Sequence, residues 1–486
     1  MIRSRRTTNL TPQRIVVLGA GIGGLTAAAL LARAGHSVTV LEGSDWIGGK
    51  SRRLEIDGQQ VDTGPALVTF PLVWEELLAR YDALGARRSA PAEAAAVAAV
   101  TLRRLPEVGR YFYRGVDAVL PVPAGHPWHA AWTRFEHEHG GLGPQLTSML
   151  TADPADPASL PAVRNVFRLY GTRLTTRGFL DGLSWMPDGL REVIAIHTLN
   201  AGVSPRHTLA LYASMPAIMA RDGVWVPEGG VNELPLALHR LALNAGAVVR
   251  TGEPVTAVSK GLVTTATATY PADVIVSGLD RGVLDGLLGV PPVRPRKLSC
   301  SGVAIYAALE TSLPEGTATH SVVLPDDPAA LHRSLDAGAV PEQTMAFLNY
   351  YRPHEIYPND RATVAVLLTA PADGRRYDLD SPWVAREVAR VSAALGLDRP
   401  ISELFRDHVV LDPRYFAGWG STGGALYGAT NPLWQSGPFH RPGYTSRARP
   451  WLWRVGASVH PGGGIPAVLG GAMTATHKLI GRLNAR

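Results

Sequence analysis

Glycines at 19, 21, 23 and 24, a carboxylate at 42 and a glycine pair at 48 and 49 are spaced to hold a dinucleotide. Gly19-Ala20-Gly21-Ile22-Gly23-Gly24 supplies the GxGxxG pattern. In that pattern Gly19 allows the tight turn, Gly21 lets backbone approach a pyrophosphate, and Gly24 lets a helix lie close on a sheet. Glu42 lies roughly 20 residues beyond the first glycine, where a carboxylate can bind ribose hydroxyls. The elements that must position these residues are legible around them. Residues 15–18 (Ile-Val-Val-Leu) are an apolar run suited to a buried parallel strand. Residues 25–34 are an Ala/Leu-rich helix former stopped by Gly35. Residues 37–41 form a second apolar strand, closed by Glu42. Strand, helix and strand make a βαβ unit whose helix N-terminus offers free N–H groups to phosphates.

Glu42 argues against a 2′-phosphate, which would want an Arg there. The residues that follow choose between NAD and FAD. Gly48-Gly49-Lys50-Ser51, then Val61-Asp62-Thr63-Gly64-Pro65, form a second glycine turn and a further loop. An extended FAD needs such contacts beyond the first phosphate loop, and NAD does not. Gly48 and Gly49 permit close backbone approach, and Lys50 places a cation near the phosphates.

The chain has 486 residues, 46% hydrophobic and 18% charged, enough for a large core and two domains. Cys300 is the single cysteine, so no internal disulfide can form; with no CxxC or His/Cys cluster, no metal site is expected. It reads as a small core residue in a reducing compartment. Residues 1–13 read as a short polar tail, with no apolar signal core. No stretch reaches about 18 consecutive apolar residues, so no transmembrane helix is expected. Net charge is +6. The basic residues are scattered and do not alternate with stacking aromatics, which argues against nucleic acid. The clearest local excess, Arg164, Arg168, Arg173 and Arg177, lies among Val166, Phe167, Leu169, Tyr170, Leu174, Phe179 and Leu180. Such a segment suits either a solvated helix face or an anionic bilayer surface.

Along the chain, residues 71–84 read as a helix and 87–100 as an Ala-rich stretch interrupted by Pro91. Residues 105–120 read as a hairpin, 151–161 as a linker, and 190–217 as helix broken at Gly202 and Pro205. A second βαβ-like piece follows: a strand at 223–227, a turn at 228–230, a helix at 231–244 and strands at 247–250 and 254–258. Residues 272–277 look like a returning strand. Further strands are expected at 303–309 and 363–368, with a helix at 382–395. Near the end, a short strand at 452–455 runs into the loop Gly456-Ala457-Ser458-Val459-His460-Pro461-Gly462-Gly463-Gly464, and a helix occupies 467–483. A helix N-terminus there would suit the flavin edge that becomes anionic on reduction.

These blocks together resemble the bacterial phytoene desaturase family of FAD-dependent carotenoid desaturases and isomerases, within the amine-oxidase-like flavoproteins. The resemblance rests on GAGIGGLTAAALLARAGHSVTVLE with IGGK, on Asp62-Thr63-Gly64-Pro65 with Leu67-Val68-Thr69, on Gly223 to Gly230, on Gly423 to Gly428, and on VGASVHPGGGIPAVLGGA. Where Thr-His-Pro-Gly-Ala-Gly-Ile-Pro-Gly is typical, Val459, Gly463 and Ala467 depart from it, and Ser458 stands where Gly is usual. Lys50 and the DTGP spelling look more like the desaturases of hydroxylated acyclic carotenoids at C3–C4. The resemblance implies an α/β fold, a Rossmann-type FAD-binding domain with an inserted α+β substrate domain. The FAD domain would comprise residues 14–75, 224–290 and 415–486, and the substrate and membrane-contact domain residues 76–223 and 291–414. The candidate cofactor-binding residues are Gly19, Gly21, Gly23, Gly24, Glu42, Gly49, Lys50, Ser51, Gly64, Pro65, Val255, Gly456, Pro461, Gly464 and Ile465.

The implied reaction removes a hydride and a proton from neighbouring carbons of a carotenoid, with FAD as hydride acceptor and a quinone or oxygen as final acceptor. The implied setting is the inner face of the cell membrane, with the enzyme cytoplasmic and peripheral. No catalytic pair emerges, and the catalytic residues stay unassigned. His137-Glu138-His139 reads as a solvated turn, His460 as a positioning residue of the flavin loop, and Glu228 is left open. The rival readings are a carotenoid isomerase using reduced FAD and an amine oxidase, for which Trp419, Tyr427 and Trp434 could build an aromatic cage.

Overall fold

The computed structural model describes residues 11–485 except 65, 86–92, 158–159, 292–294, 296 and 436–438. Pro65, most of the tail over 1–13 and the first part of the Ala-rich stretch over 87–100 therefore lie outside the described residues.

A five-stranded, all-parallel sheet runs in the order Leu452–Arg454, Val274–Ser277, Arg14–Leu18, Ser37–Leu41, Val248–Arg250. Its central strand is buried on both sides, as its unbroken apolar run requires: Ile15 and Val17 join one core cluster, Val16 and Leu18 another. The helix Ile22–Arg33 crosses from the central strand to its neighbour and packs against the C-terminal helix Ile465–Asn484. Residues near the two ends of the chain thus build one layer.

A seven-stranded sheet runs in the order Phe405–Leu411, Ser301–Leu309, Thr363–Ala370, Ala346–Tyr351, His320–Val323, Gly109–Tyr113, Val116–Leu120. One face (Val303, Ile305, Ala307, Leu348, Val364, Val366) forms a core with Val384, Val388 and Val391 of the helix Pro382–Ala394. Ala304, Tyr306 and Ala365 form another cluster with Ile56 and Val61, on strands Arg53–Ile56 and Gln59–Asp62.

The helix expected at 71–84 is Pro71–Gly85, and the hairpin expected within 105–120 is Gly109–Tyr113 with Val116–Leu120. The second βαβ-like piece is not one unit. Trp225–Pro227 pairs antiparallel with Leu102–Arg104, outside the five-stranded sheet. Only Val248–Arg250 and Val274–Ser277 enter that sheet, while Val255–Ser259 leads a separate antiparallel sheet with Leu262–Thr265 and Thr269–Pro271. The His137-Glu138-His139 segment is not a turn but the end of the helix His129–His139. His139 is 1% exposed, its Nδ1 lies 2.6 Å from Ser214 Oγ, and Tyr170 shares that hydroxyl. Burial pushes the His139 pKa down to about 4. Trp132, Phe135 and His139 fall on the inward face, so a helical period overrides the polar composition.

Candidate cofactor and substrate site

The first glycine loop leaves the central strand at Gly19, whose φ is +90° and whose N–H donates to Leu41 O at 2.8 Å. Gly21 is the extended N-cap of the first helix, with no side chain capping it, so the helix N-terminus keeps its N–H groups for an anion. A Cβ on Gly24 would stand 2.0 Å from Gly19 O; one on Gly23 would stand 2.9 Å from Gly456 N. Gly24 sets helix against turn, as the motif requires. Gly23 brings the first loop against the last one.

The second glycine turn joins the same place. Gly48 N–H donates to Ala20 O at 2.9 Å, and Gly21 and Gly48 form an isolated parallel bridge. Gly48 and Gly49 have φ of +100° and +62°. Ser51 is 2% exposed, and its Oγ has no partner. Leaving such a hydroxyl dry and unpaired costs about 1–3 kcal/mol. Gly64 lies against Lys50 O, and its N–H reaches Tyr306 OH at 3.2 Å. An uncapped helix start, side-chain-free loops and an unpartnered hydroxyl are what an extended dinucleotide would fill, so the residues fit FAD.

Glu42 sits at the end of its strand. Its Oε2 accepts from Ala20 N at 2.7 Å; Oε1 accepts from Ser44 N at 3.0 Å and Ser44 Oγ at 2.8 Å. It braces the first loop from below, and Oε2, with one bond accepted, keeps a lone pair for a further donor. Lys50 points elsewhere than expected. Its Nζ donates to Leu426 O at 2.8 Å and pairs with Asp280 at 3.3 Å, so its charge is answered by the 420s segment. Arg53, which the sequence reading passed over, pairs with Asp62 at 2.9 Å and also bonds Gly229 O. Asp62 in turn accepts from Asn232 N at 2.9 Å, so this pair clamps the Gly229-Gly230 turn. Burial raises the Asp62 carboxyl against the pull of Arg53. Val255 opens the separate antiparallel sheet, next to Pro254, which touches Gly43.

The C-terminal loop closes the arrangement. Gly456 has φ +90° and faces Gly278 O; Gly464 has φ +92° and is the N-cap of the last helix, again uncapped by a side chain. Ile465 is 6% exposed, and Pro461 follows His460, whose Nε2 is buried without a partner. Burial lowers the His460 pKa to about 4, helped by His440. Tyr427 rests on this loop, since a Cβ on Gly463 would stand 2.1 Å from its ring and one on Gly202 would stand 2.6 Å from it.

The aromatic residues weighed as a cage do not assemble. Trp434 is 72% exposed, and Trp419 packs on Trp46 with ring centroids 5.3 Å apart, beside a hollow of about 550 Å³ that includes none of the glycine loops. Glu228 is exposed, and Cys300 is buried, its thiol pushed up to about 12. Among the described residues, no group of His, Cys, Asp and Glu is placed to hold a metal ion. The side chains that sequence reasoning missed, Tyr306, Tyr351 and Tyr357, reach the Asp62–Ala66 segment from distant strands and loops.

A profile for flavin containing amine oxidoreductases matches residues 22–312. The chain is 27% identical to a zeta-carotene-forming phytoene desaturase of Myxococcus xanthus, over 96% of this chain and 94% of that protein. It is 29% identical to a hydroxyneurosporene desaturase of Rubrivivax gelatinosus, over 98% and 95%. Among solved structures, cyclohexylamine oxidase from Brevibacterium oxydans superposes with a TM-score of 0.61 at 16% identity, covering 98% of this chain and 99% of that one. The resemblance read from the glycine motifs thus extends over nearly the whole chain, and the fold is that of an amine-oxidase-like flavoprotein.

Proposed function

The chain belongs to the flavin containing amine oxidoreductase family, and from that premise we propose that this FAD-dependent oxidoreductase introduces a C=C bond into an acyclic carotenoid. The observation that carries the reading is the convergence of three glycine loops, at 19–24, 48–49 and 456–464, in a chain similar along its length to two carotenoid desaturases. We assign the cofactor to the candidate residues Gly19, Gly21, Gly23, Gly24, Glu42, Gly49, Ser51, Gly64, Pro65, Val255, Gly456, Pro461, Gly464 and Ile465, and leave Lys50 with the 420s segment. Residues 14–75, 224–290 and 415–486 would form the FAD domain, and residues 76–223 and 291–414 the substrate domain.

Bound flavin supplies a two-electron acceptor for a hydride. The substrate carbon left behind is an acidic cation, so its neighbour loses a proton to water or a weak base and the double bond forms. The protein's part is to bind, align and exclude competitors. The Gly19–Gly24 loop and the two helix N-termini would hold the anionic cofactor. The face of the seven-stranded sheet turned away from the helix Pro382–Ala394, with Tyr306 at Gly64 and Tyr351 at Ala66, would offer a wall for a hydrocarbon chain. No dedicated base is assigned. Oxygen or a quinone would take the electrons onward.

The test is product mass after incubation with lycopene-type and hydroxylated carotenoids in liposomes. A loss of two hydrogens per event is expected. Unchanged mass would identify an isomerase, and turnover of amines instead would identify an amine oxidase.

A bilayer-dissolved substrate calls for membrane contact. Among the described residues, no helix is long and apolar enough to cross a membrane. Arg164 and Arg168 are exposed on the helix Leu160–Tyr170, and Leu160 and Leu174 are 62% and 55% exposed beside them. Arg177, counted with this patch in the sequence, is instead held by Asp181 and Glu192, while Tyr170, Phe179 and Leu180 are core. The smaller patch supports peripheral attachment on the cytoplasmic side. Each remaining Arg contributes about 1 kcal/mol near an anionic surface, screened by salt. Sedimentation with anionic liposomes is expected, weakened by salt and by Arg164→Ala/Arg168→Ala. Failure to sediment at low salt would refute the attachment.

A further inference from the structure

The wall that carries Tyr306 also carries polar atoms that lack partners. Tyr306 pairs with Ala365, Ala365 with Asn349, and Asn349 with His320, one row across four strands. Ser321 pairs with Arg110, which sets His320 opposite Gly109; a Cβ on Gly109 would stand 2.9 Å from the His320 ring. Tyr111, two residues on, shares that face. It is 1% exposed, and its hydroxyl has no partner. The His197 ring lies 5.4 Å from the Tyr111 ring; His197 is 6% exposed, and its Nε2 is likewise unpartnered. His320 Nδ1 donates to Asn349 Oδ1 at 2.7 Å, which leaves Nε2 of the neutral ring as an acceptor.

Two routes tie this cluster to the proposed active site. The first is the sheet row, which starts at Tyr306 on Gly64. The second is the 3-10 helix Ile196–Ala201, which carries His197 and ends at Gly202, against Tyr427 and hence against Gly463. At roughly 2 Å per residue, His197 lies about 10 Å along that helix from the Tyr427 contact. Burial lowers the His197 pKa to about 3 and raises that of Tyr111, so neither is charged at neutral pH. A neutral donor and acceptor suit an oxygen atom of a lipophilic molecule and give an ammonium no counter-charge.

We propose that Tyr111, His197 and His320 form the subsite for a neutral oxygenated end group, a hydroxyl or carbonyl, on the lipophilic substrate. The proposal rests on the carotenoid reading and narrows its substrate class. A hydrocarbon end would leave these polar atoms dry and unpaired, and a site built to bond an oxygen rejects the analogue lacking it.

The test uses the full-length holoenzyme with a hydroxylated acyclic carotenoid and its hydrocarbon counterpart, each in the same liposomes. Affinity is read by quenching of tryptophan fluorescence, and kcat/KM by product mass. The parent is expected to favour the hydroxylated compound by at least about tenfold in both. Tyr111→Phe removes only an unpartnered hydroxyl, and His197→Phe keeps a ring; each should bring the ratio to within about twofold. The ratio is internal to each variant, so a general loss of activity cancels. Equal binding of both compounds by the parent, with water alone meeting these groups, would overturn the subsite, as would a preference that survives in Tyr111→Phe. A binding preference without turnover of either compound would sink the desaturase reading and leave the subsite standing.

Discussion

Gly24→Val is expected to leave little folded protein and no bound flavin, whereas Gly21→Val is expected to give a folded protein that lacks FAD. The two residues belong to one motif and fail for different reasons. At Gly24 the added Cβ would stand 2.0 Å from Gly19 O and 3.2 Å from Gly19 C, both backbone atoms. No rotamer relieves that contact, so the helix Ile22–Arg33 must leave the sheet. Its residues from Gly23 to Ala32 are buried, and it packs on the C-terminal helix, so the displacement spreads through the main core. Overpacking that side chains can absorb costs about 1–3 kcal/mol; this one falls on backbone and should exceed it. At Gly21 a Cβ would meet nothing nearer than Gly49 Cα at 4.0 Å, and the residue is already extended. The protein tolerates Val there, but the pyrophosphate could no longer approach the backbone. Flavin released per polypeptide and a thermal melt separate the outcomes. Stoichiometric FAD in Gly21→Val would show that the first loop is not the phosphate site.

How far the sequence reveals this architecture depends on the range of the interactions. The βαβ unit was legible because its glycines, helix and strands lie within one short stretch and obey local rules of turn and period. The C-terminal loop was legible for the same reason, as was the hairpin within 105–120. The proposed substrate wall was not. Tyr306 reaches Gly64, and Tyr351 reaches Ala66, across hundreds of residues, and a row such as Tyr306, Ala365, Asn349 and His320 exists only once strand order and register are known. Trp225–Pro227 shows the converse limit: its apolar run marks a strand, but nothing local says which sheet receives it. Arg53 could have been found, since a basic residue just past the Gly48-Gly49 turn and a carboxylate at 62 face each other across a tight hairpin. His139 could have been found too, from the spacing of Trp132, Phe135 and His139 along one helix face.

Gly463→Val should slow flavin reduction by about a hundredfold while FAD affinity changes less than about tenfold, the size of loss typical when one donor aimed at a developing anion is removed. The added Cβ would stand 2.1 Å from Cδ1 of Tyr427, whose other side already leans on Gly202. Tyr427 therefore has no room to retreat, and the loop must move instead. The next residue, Gly464, has φ +92° and fixes the start of the helix Ile465–Asn484. A shift of this loop re-aims the N–H groups of that first turn, which would stabilise negative charge gained on reduction. Gly464→Val reaches the same end by another route: its Cβ would meet open space, but its backbone conformation is one that β-branched residues avoid. Retention of the cofactor should survive both changes, because the contacts proposed to hold it are shared between this turn and the loops at 19–24 and 48–51. Stopped-flow reduction, the flavin midpoint potential and FAD content measured on the same samples decide the matter. A lowered potential with FAD retained places the loop against the flavin. Equal losses in reduction rate and FAD affinity, with the potential unmoved, would mean that the loop only binds.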